Sequence, residues 1–228
     1  MQAIVLAGGL GTRLRTMVSD LPKPMAPIGE RPFLSLLLDQ LVEHGCTRTY
    51  LSVGYKAETI VAHFGADYRG MALDYVREDE PLGTGGGLRL ALSAISEDRA
   101  LVLNGDTYFD IDLATIYRRH VESGRPATLV LRRLEEADRY GTVTVQDDVI
   151  TGFQAAGQTG PALINGGTYV LERRLFDGFD LPPVFSFEQD FLQPHVASLR
   201  PGAIVGDGLF VDIGVPQDYL WACAHLAA

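Results

Sequence analysis

Four sets of residues in this chain have the types and spacing that phosphate chemistry requires. Gly8, Gly9 and Gly11 follow the apolar run QAIVLA, and Thr12 and Arg13 come with them. Glycine costs backbone entropy in any ordered segment, so three together need a reason. Just past a strand, the backbone around Leu6, Ala7, Gly8 and Gly9 can turn its N–H groups onto an anion, and missing Cβ atoms let a phosphate come close. Thr12 adds a hydroxyl donor, and Arg13 a planar cation suited to bridging phosphate oxygens. Lys23 stands between two prolines in LPKPMAPI, so its backbone is restrained. Of 19 basic residues only Lys23 and Lys56 are lysines, which singles out Lys23 as one that arginine does not replace. Asp106 closes the apolar run ALVLNGD, and Asp212 closes another in LFVDIGVPQDY.

These residues neutralise and position polyanions; they do not abstract protons. The histidines (His44, His63, His120, His195, His225) are scattered without metal-ligand spacing, and no Ser-His-Asp or Cys-His set is evident. Two familiar phosphate loops do not fit. The dinucleotide fingerprint G-x-G-x-x-G would need glycine where Leu14 stands, and the Walker loop would need a lysine that GLGTRL lacks.

The elements that must position these residues follow from periodicity. QAIVLA, TYLSV (49–53), ALDYV (72–76) and ALVLNGD (100–106) read as strands. The segments 33–45, 57–64 and 86–95 between them read as helices. That alternation predicts an α/β fold: a Rossmann-like, doubly wound, mixed but mainly parallel sheet. Open sheets of this kind bind ligands at the carboxyl ends of their strands, where the glycine loop, EDEPLGTGGG and NGD all fall. The second half reads differently, as strands at 127–134, 141–146, 149–153 and 163–171 with little helix between them, and Asp147–Asp148 as a hairpin turn. A helix follows SFEQD, where Ser186 and Gln189 resemble a capping box, and another fills 216–227. With no repeat and no linker, residues 1–228 are expected to form one domain.

The bulk numbers exclude other classes. A net charge of −10 opposes non-specific binding to nucleic acid and to anionic membrane surfaces. No apolar run approaches the roughly 18 residues of a membrane span. Two distant cysteines, Cys46 and Cys223, suggest reduced thiols. With no signal-peptide pattern at the start, the expected location is cytoplasmic.

GGLGTRL, PKPM and NGD in that order resemble the sugar-1-phosphate nucleotidylyltransferases over residues 3 to about 220. Within that family, DLPKPMAPIGERPFL, EDEPLGTGGGL, LVLNGDTYFD, INGGTYVL and FSFEQDFL are most similar to the D-glycero-α-D-manno-heptose 1-phosphate guanylyltransferases. Mannose-1-phosphate guanylyltransferases and N-acetylmuramate-1-phosphate uridylyltransferases are close neighbours. The resemblance implies transfer from a nucleoside triphosphate, GTP by preference, to a sugar 1-phosphate. It implies a nucleotide-binding half (about 1–110), a sugar-binding half (about 111–228) and Mg²⁺ held by Asp106 and Asp212. Arg13 and Lys23 would act on the phosphates. Glu80, with Gly83 and Thr84 beside it, lies near the expected base site. There it could accept hydrogen bonds from guanine, or merely favour a helix dipole. Tyr140, Gly141, Asn165 and Gly166 match segments that contact the sugar, though Tyr140 and Asn165 could equally be a packed aromatic and a turn residue. Many relatives carry Glu-Lys where this chain has Gln154 and Ala155, so its sugar pocket is partly rebuilt. Self-association into a homo-oligomer is left open. A nicotinamide-dependent oxidoreductase and a non-catalytic sugar-nucleotide sensor remain the readings from other classes.

Overall fold

The first half alternates as its periodicity requires. A computed structural model of the chain describes residues 1–9, 14, 17–18 and 21–227. In chain order its first half holds β1 (Gln2–Leu6), β2 (Pro27–Ile28), β3 (Arg31–Pro32), α1 (Phe33–Glu43), β4 (Arg48–Val53), α2 (Ala57–Phe64), β5 (Asp67–Tyr68), β6 (Met71–Arg77), α3 (Gly83–Ala94) and β7 (Arg99–Asn104). There follow β8 (Thr107–Phe109), α4 (Leu113–Ser123), β9 (Ala127–Leu134), β10 (Thr142–Gln146), β11 (Val149–Gln154), β12 (Ala162–Glu172), α5 (Gln193–Leu199), β13 (Gly202–Gly206), β14 (Phe210–Asp212) and α6 (Pro216–His225). A π-helical turn at Phe187–Leu192 leads into α5.

One sheet runs through both halves in the order β10-β11-β13-β9-β12-β7-β1-β4-β6-β5. Its centre, β7-β1-β4-β6, is parallel, as crossover helices demand. The sheet is mixed because β12 enters antiparallel between β7 and β9, and β9 pairs parallel with β13. From Ala3 to Leu6 β1 is apolar because both its faces are covered. Val5 faces a core built from α1, α2, α4 and α6, and Ile4 faces a second built from α3, α5 and a phenylalanine cluster. On α1, Phe33, Leu34, Leu37, Leu38 and Leu41 are fully buried. That is the stripe of an amphipathic helix, each side chain contributing about 1.5–3 kcal/mol.

Asp147 and Asp148 take φ of 50° and 57°, the double left-handed turn that tight hairpins favour. The structure adds α4 and β13, which the sequence reading passes over. Asp112 caps α4 by accepting from Thr115 N–H at 2.9 Å, and Gly124 ends it in the left-handed region. No helix among the described residues is long and apolar enough to cross a membrane.

Candidate active site

Three strand ends and one turn bring the charged residues together. Past β1, Ala7 N–H still donates to Ser52 O at 2.8 Å, and Gly105 N–H donates to Leu6 O at 3.0 Å. A Cβ on Gly105 would stand 2.6 Å from that carbonyl oxygen. Only glycine lets the chain beyond β7 pass so near, and this sets Asp106 just past the end of β1 at Leu6 and Ala7. Asp212 arrives from the second half. β14 pairs antiparallel with β8, setting Asp212 opposite Thr107, and Ile213 N–H donates to Asp106 O at 3.0 Å. Gly214 N–H fixes the carboxylate by donating to Asp212 Oδ1 at 2.7 Å.

Lys23 meets both aspartates. The Pro22–Pro24 frame folds into a short 3₁₀ turn, Lys23–Met25. Its Nζ lies 2.5 Å from Asp106 Oδ2 and 3.9 Å from Asp212 Oδ1. The Lys23 side chain is 9% exposed, whereas Asp106 and Asp212 keep 37% and 27% of their surface open. The carboxylates therefore face both an ammonium and the cleft. Among the described residues no group of three His, Cys, Asp or Glu side chains could enclose a metal. Two carboxylates with room for substrate oxygens are nonetheless the donor set that Mg²⁺ takes when it binds with phosphates. Gly11, Thr12 and Arg13 lie outside the described residues.

The carboxylates that follow β6 are placed differently. Glu80 is exposed, while Glu78, the first residue past β6, turns inward. Glu78 Oε2 accepts from Leu82 N–H at 3.0 Å, and its Oε1 accepts from Ser52 Oγ at 3.3 Å. Cβ atoms built on Gly8 and Gly87 would lie 2.8 Å and 2.6 Å from that Oε1. Glu78 thus sits between the glycine loop and the first turn of α3.

The glycine run of α3 has a cause that lies far along the chain. A Cβ on Gly83 would meet Phe185 O at 2.6 Å, and one on Gly85 would meet the Phe185 ring at 2.2 Å. Gly85 N–H donates to Phe185 O at 2.9 Å, and Thr84 Oγ1 accepts from Phe187 N–H at 3.0 Å. Gly83, Thr84 and Gly85 therefore let segment 183–187 of the second half lie flat on α3.

The residue after that segment, Glu188, reaches the sugar-side cleft. A cleft of about 280 Å³ is lined by Asn104, Asp106, Asp212, Tyr140, Gly141, Asn165, Gly167, Tyr169 and Glu188. Tyr140 packs edge-on against Phe210 with Arg139 above its ring, and burial followed by the Asp212 charge pushes its phenol up. Asn165 Nδ2 donates to Tyr169 Oη at 2.8 Å and to Glu188 Oε1 at 3.2 Å, while its Oδ1 accepts from Gly167 N–H at 3.1 Å. Tyr169 is buried, which raises its phenol, and the Glu188 charge adds to this. Gly166 instead packs on the far side, where a Cβ would meet the Phe109 ring at 2.8 Å; Gly167 takes the place on the cleft. Gln154 and Ala155 are exposed.

Sequence reasoning missed Glu78, Asn104, Tyr169 and Glu188. Asn104 precedes the noted Gly-Asp, and Glu78 opens the quoted EDEPLGTGGG, so both were within reach. Nothing along the chain links Glu188 to Asn165.

A doubly wound sheet that sets one ammonium and two carboxylates at its carboxyl edge places them where open sheets of this kind bind ligands. The chain belongs to the nucleotidyl transferase family, whose model matches residues 2–228. It is 42% identical over 219 residues to a D-glycero-α-D-manno-heptose 1-phosphate guanylyltransferase of Aneurinibacillus thermoaerophilus, covering 96% of this chain and 95% of that one. It is 43% identical over 220 residues to the enzyme of the same name from Campylobacter jejuni, covering 96% and 97%. The crystal structure of HddC from Yersinia pseudotuberculosis complexed with GMP-PN superposes with a TM-score of 0.85 at 35% identity, over 99% of each chain. The family resemblance in the motifs therefore extends over nearly the whole chain, and the chain is a nucleotidyl transferase.

Proposed function

We propose that this chain transfers the guanylyl group of GTP to D-glycero-α-D-manno-heptose 1-phosphate, giving a GDP-heptose and pyrophosphate. The observation that carries the reaction is the convergence of Lys23, Asp106 and Asp212 at the carboxyl edge of the sheet. The two relatives named above support the choice of substrates.

A sugar-phosphate oxygen attacks the α-phosphorus, the new O–P bond forms, and the bond to the β-phosphate oxygen breaks. The attacking phosphate has its second pKa near 6, so it is largely ionised at neutral pH and needs no general base. The chain's task is to align two polyanions and to offset the charge that builds between them. Backbone N–H groups of the glycine loop beyond Ala7, with Thr12 and Arg13, hold the triphosphate. Lys23 sets one ammonium against the α-phosphate and the departing pyrophosphate. Mg²⁺ held by Asp106 and Asp212 would supply Lewis-acid stabilisation of the phosphate oxygens. Glu78 takes the role first expected of Glu80: its carboxylate accepts from guanine N1–H and the 2-amino group, donors that uracil and thymine cannot offer together. Tyr140 and Gly141 border the sugar.

The test is a matrix of nucleoside triphosphates against sugar 1-phosphates, read as pyrophosphate release. GTP with the manno-configured heptose 1-phosphate should be the best pair. A preference for UTP or dTTP would overturn the base assignment. Turnover of mannose 1-phosphate but not the heptose would overturn the sugar assignment. No release with any pair would favour a binding module.

A further inference from the structure

We infer that Glu188 is a specificity residue for the sugar: its carboxylate accepts hydrogen bonds from a pair of neighbouring ring hydroxyls of the bound sugar 1-phosphate. The inference rests on the nucleotidyl-transfer reading of the cleft and assigns its polyol-binding group.

The first support is that both amide donors of Asn165 are already taken. Its two amide hydrogens go to Tyr169 Oη and Glu188 Oε1, and Gly167 N–H takes a position on its Oδ1. Asn165 then has no donor left for a sugar, and its amide orients Glu188. A carboxylate offers about four acceptor positions, and the bond from Asn165 occupies one of those on Glu188.

Charge gives the second support. Asp106 and Asp212 line the same cleft, so the phosphate end of the substrate belongs with the cation they face, Lys23. A third carboxylate would repel phosphate. Neutral hydroxyls are the donors it can accept from, and two on adjacent carbons match the spacing of its two oxygens.

Preorganisation is the third. Phe187 N–H is tied to Thr84 Oγ1, Gln189 N–H to Ser186 Oγ at 3.2 Å, and Ser186 N–H to Asp190 Oδ2 at 2.7 Å. Phe187 and Phe191 anchor the turn in the core. The turn is π-helical, a form found often at functional sites. Glu188 is therefore held at the cleft before substrate arrives. The end of β11 supplies no competing carboxylate, since Gln154 and Ala155 stand there.

The experiment measures steady-state turnover with GTP, the parent sugar 1-phosphate and analogues lacking one ring hydroxyl each. For the unaltered chain, at least one analogue should lose about 10- to 100-fold in kcat/KM, the range for a hydrogen bond to a charged group. Glu188→Gln should lose a similar factor with the parent sugar, leave the KM for GTP unchanged, and nearly abolish the penalty for that analogue. A residue that merely braces Asn165 would lower all sugars alike and keep every analogue penalty. That result, or an unchanged sugar KM, overturns the assignment. If Glu188→Gln does not fold, Glu188→Asp should raise the sugar KM and not that for GTP. Absence of turnover by the unaltered chain with every sugar 1-phosphate would instead sink the nucleotidyl-transfer reading itself, and this inference with it.

Discussion

Replacing Lys23 by methionine keeps most of its length and removes its charge. The ammonium lies 2.5 Å from Asp106 and 3.9 Å from Asp212 and is 9% exposed, so its position is set by a rigid turn and two partners. A unit charge about 4 Å from another, at an effective dielectric of about 20, is worth roughly 4 kcal/mol. At 1.36 kcal/mol per factor of ten, full loss against one developing phosphate charge would slow turnover about a thousandfold. Some of that charge is already present in the ground state, so the expected fall in kcat is about 10²–10³, as for other single electrostatic donors. Stability should change little, because both aspartates are more than a quarter exposed and solvent screens them. Lys23→Arg should recover only part of the rate, since a guanidinium is wider and differently hydrated. The assay is pyrophosphate release at saturating substrates, with a thermal melt of each variant as control. A Lys23→Met protein that turns over at the normal rate would falsify the electrostatic role.

Asp106→Asn should lose several orders of magnitude in turnover with its melting temperature nearly intact; normal turnover that still requires Mg²⁺ would remove Asp106 from the site. Glu78→Gln should narrow the preference for GTP over UTP by about 1–3 kcal/mol, measured as a ratio of kcat/KM, while Glu80→Gln leaves it alone. Gly85→Ala should destabilise by about 1–3 kcal/mol in urea, because overpacking against Phe185 outweighs the better helix propensity of alanine. His120 is buried, and that burial holds its pKa below the ordinary 6.5 despite the neighbouring Glu172. The folded state then binds fewer protons than the unfolded one, so this contribution is complete above about pH 6.5 and falls away as pH drops towards the folded value. Urea titrations between pH 5 and 8 should show a shallower acid-side loss in His120→Gln; an unchanged slope would contradict this.

Much of the fold was legible because its signals are local. The apolar run of β1, the stripe on α1 and the turn at Asp147–Asp148 each follow from a few adjacent residues. α4 escaped although Asp112 and Gly124 mark both its ends, because its surface is mostly polar and its apolar stripe is narrow. In the site, Lys23, Asp106 and Asp212 could be picked out because each closes or interrupts an element in a way its type must explain. Glu78 and Glu80 could not be told apart along the chain. What separates them is where β6 stops and which carboxylate reaches Leu82 N–H. The glycines of α3 suggested a ligand, yet three of them face Phe185 and Pro183, about a hundred residues away. Such contacts, like that of Glu188 with Asn165, depend on tertiary packing that no short window of sequence contains.

The central claim is that one assembled site moves the α-phosphorus of GTP onto a sugar phosphate. GTP labelled at its α-phosphorus, incubated with the chain, Mg²⁺ and heptose 1-phosphate, tests it in one step. The label should pass into a GDP-heptose and the pyrophosphate released should be unlabelled, with Lys23→Met slowing both together. Label recovered only in free GMP or GDP, or no transfer to the sugar at all, would contradict it.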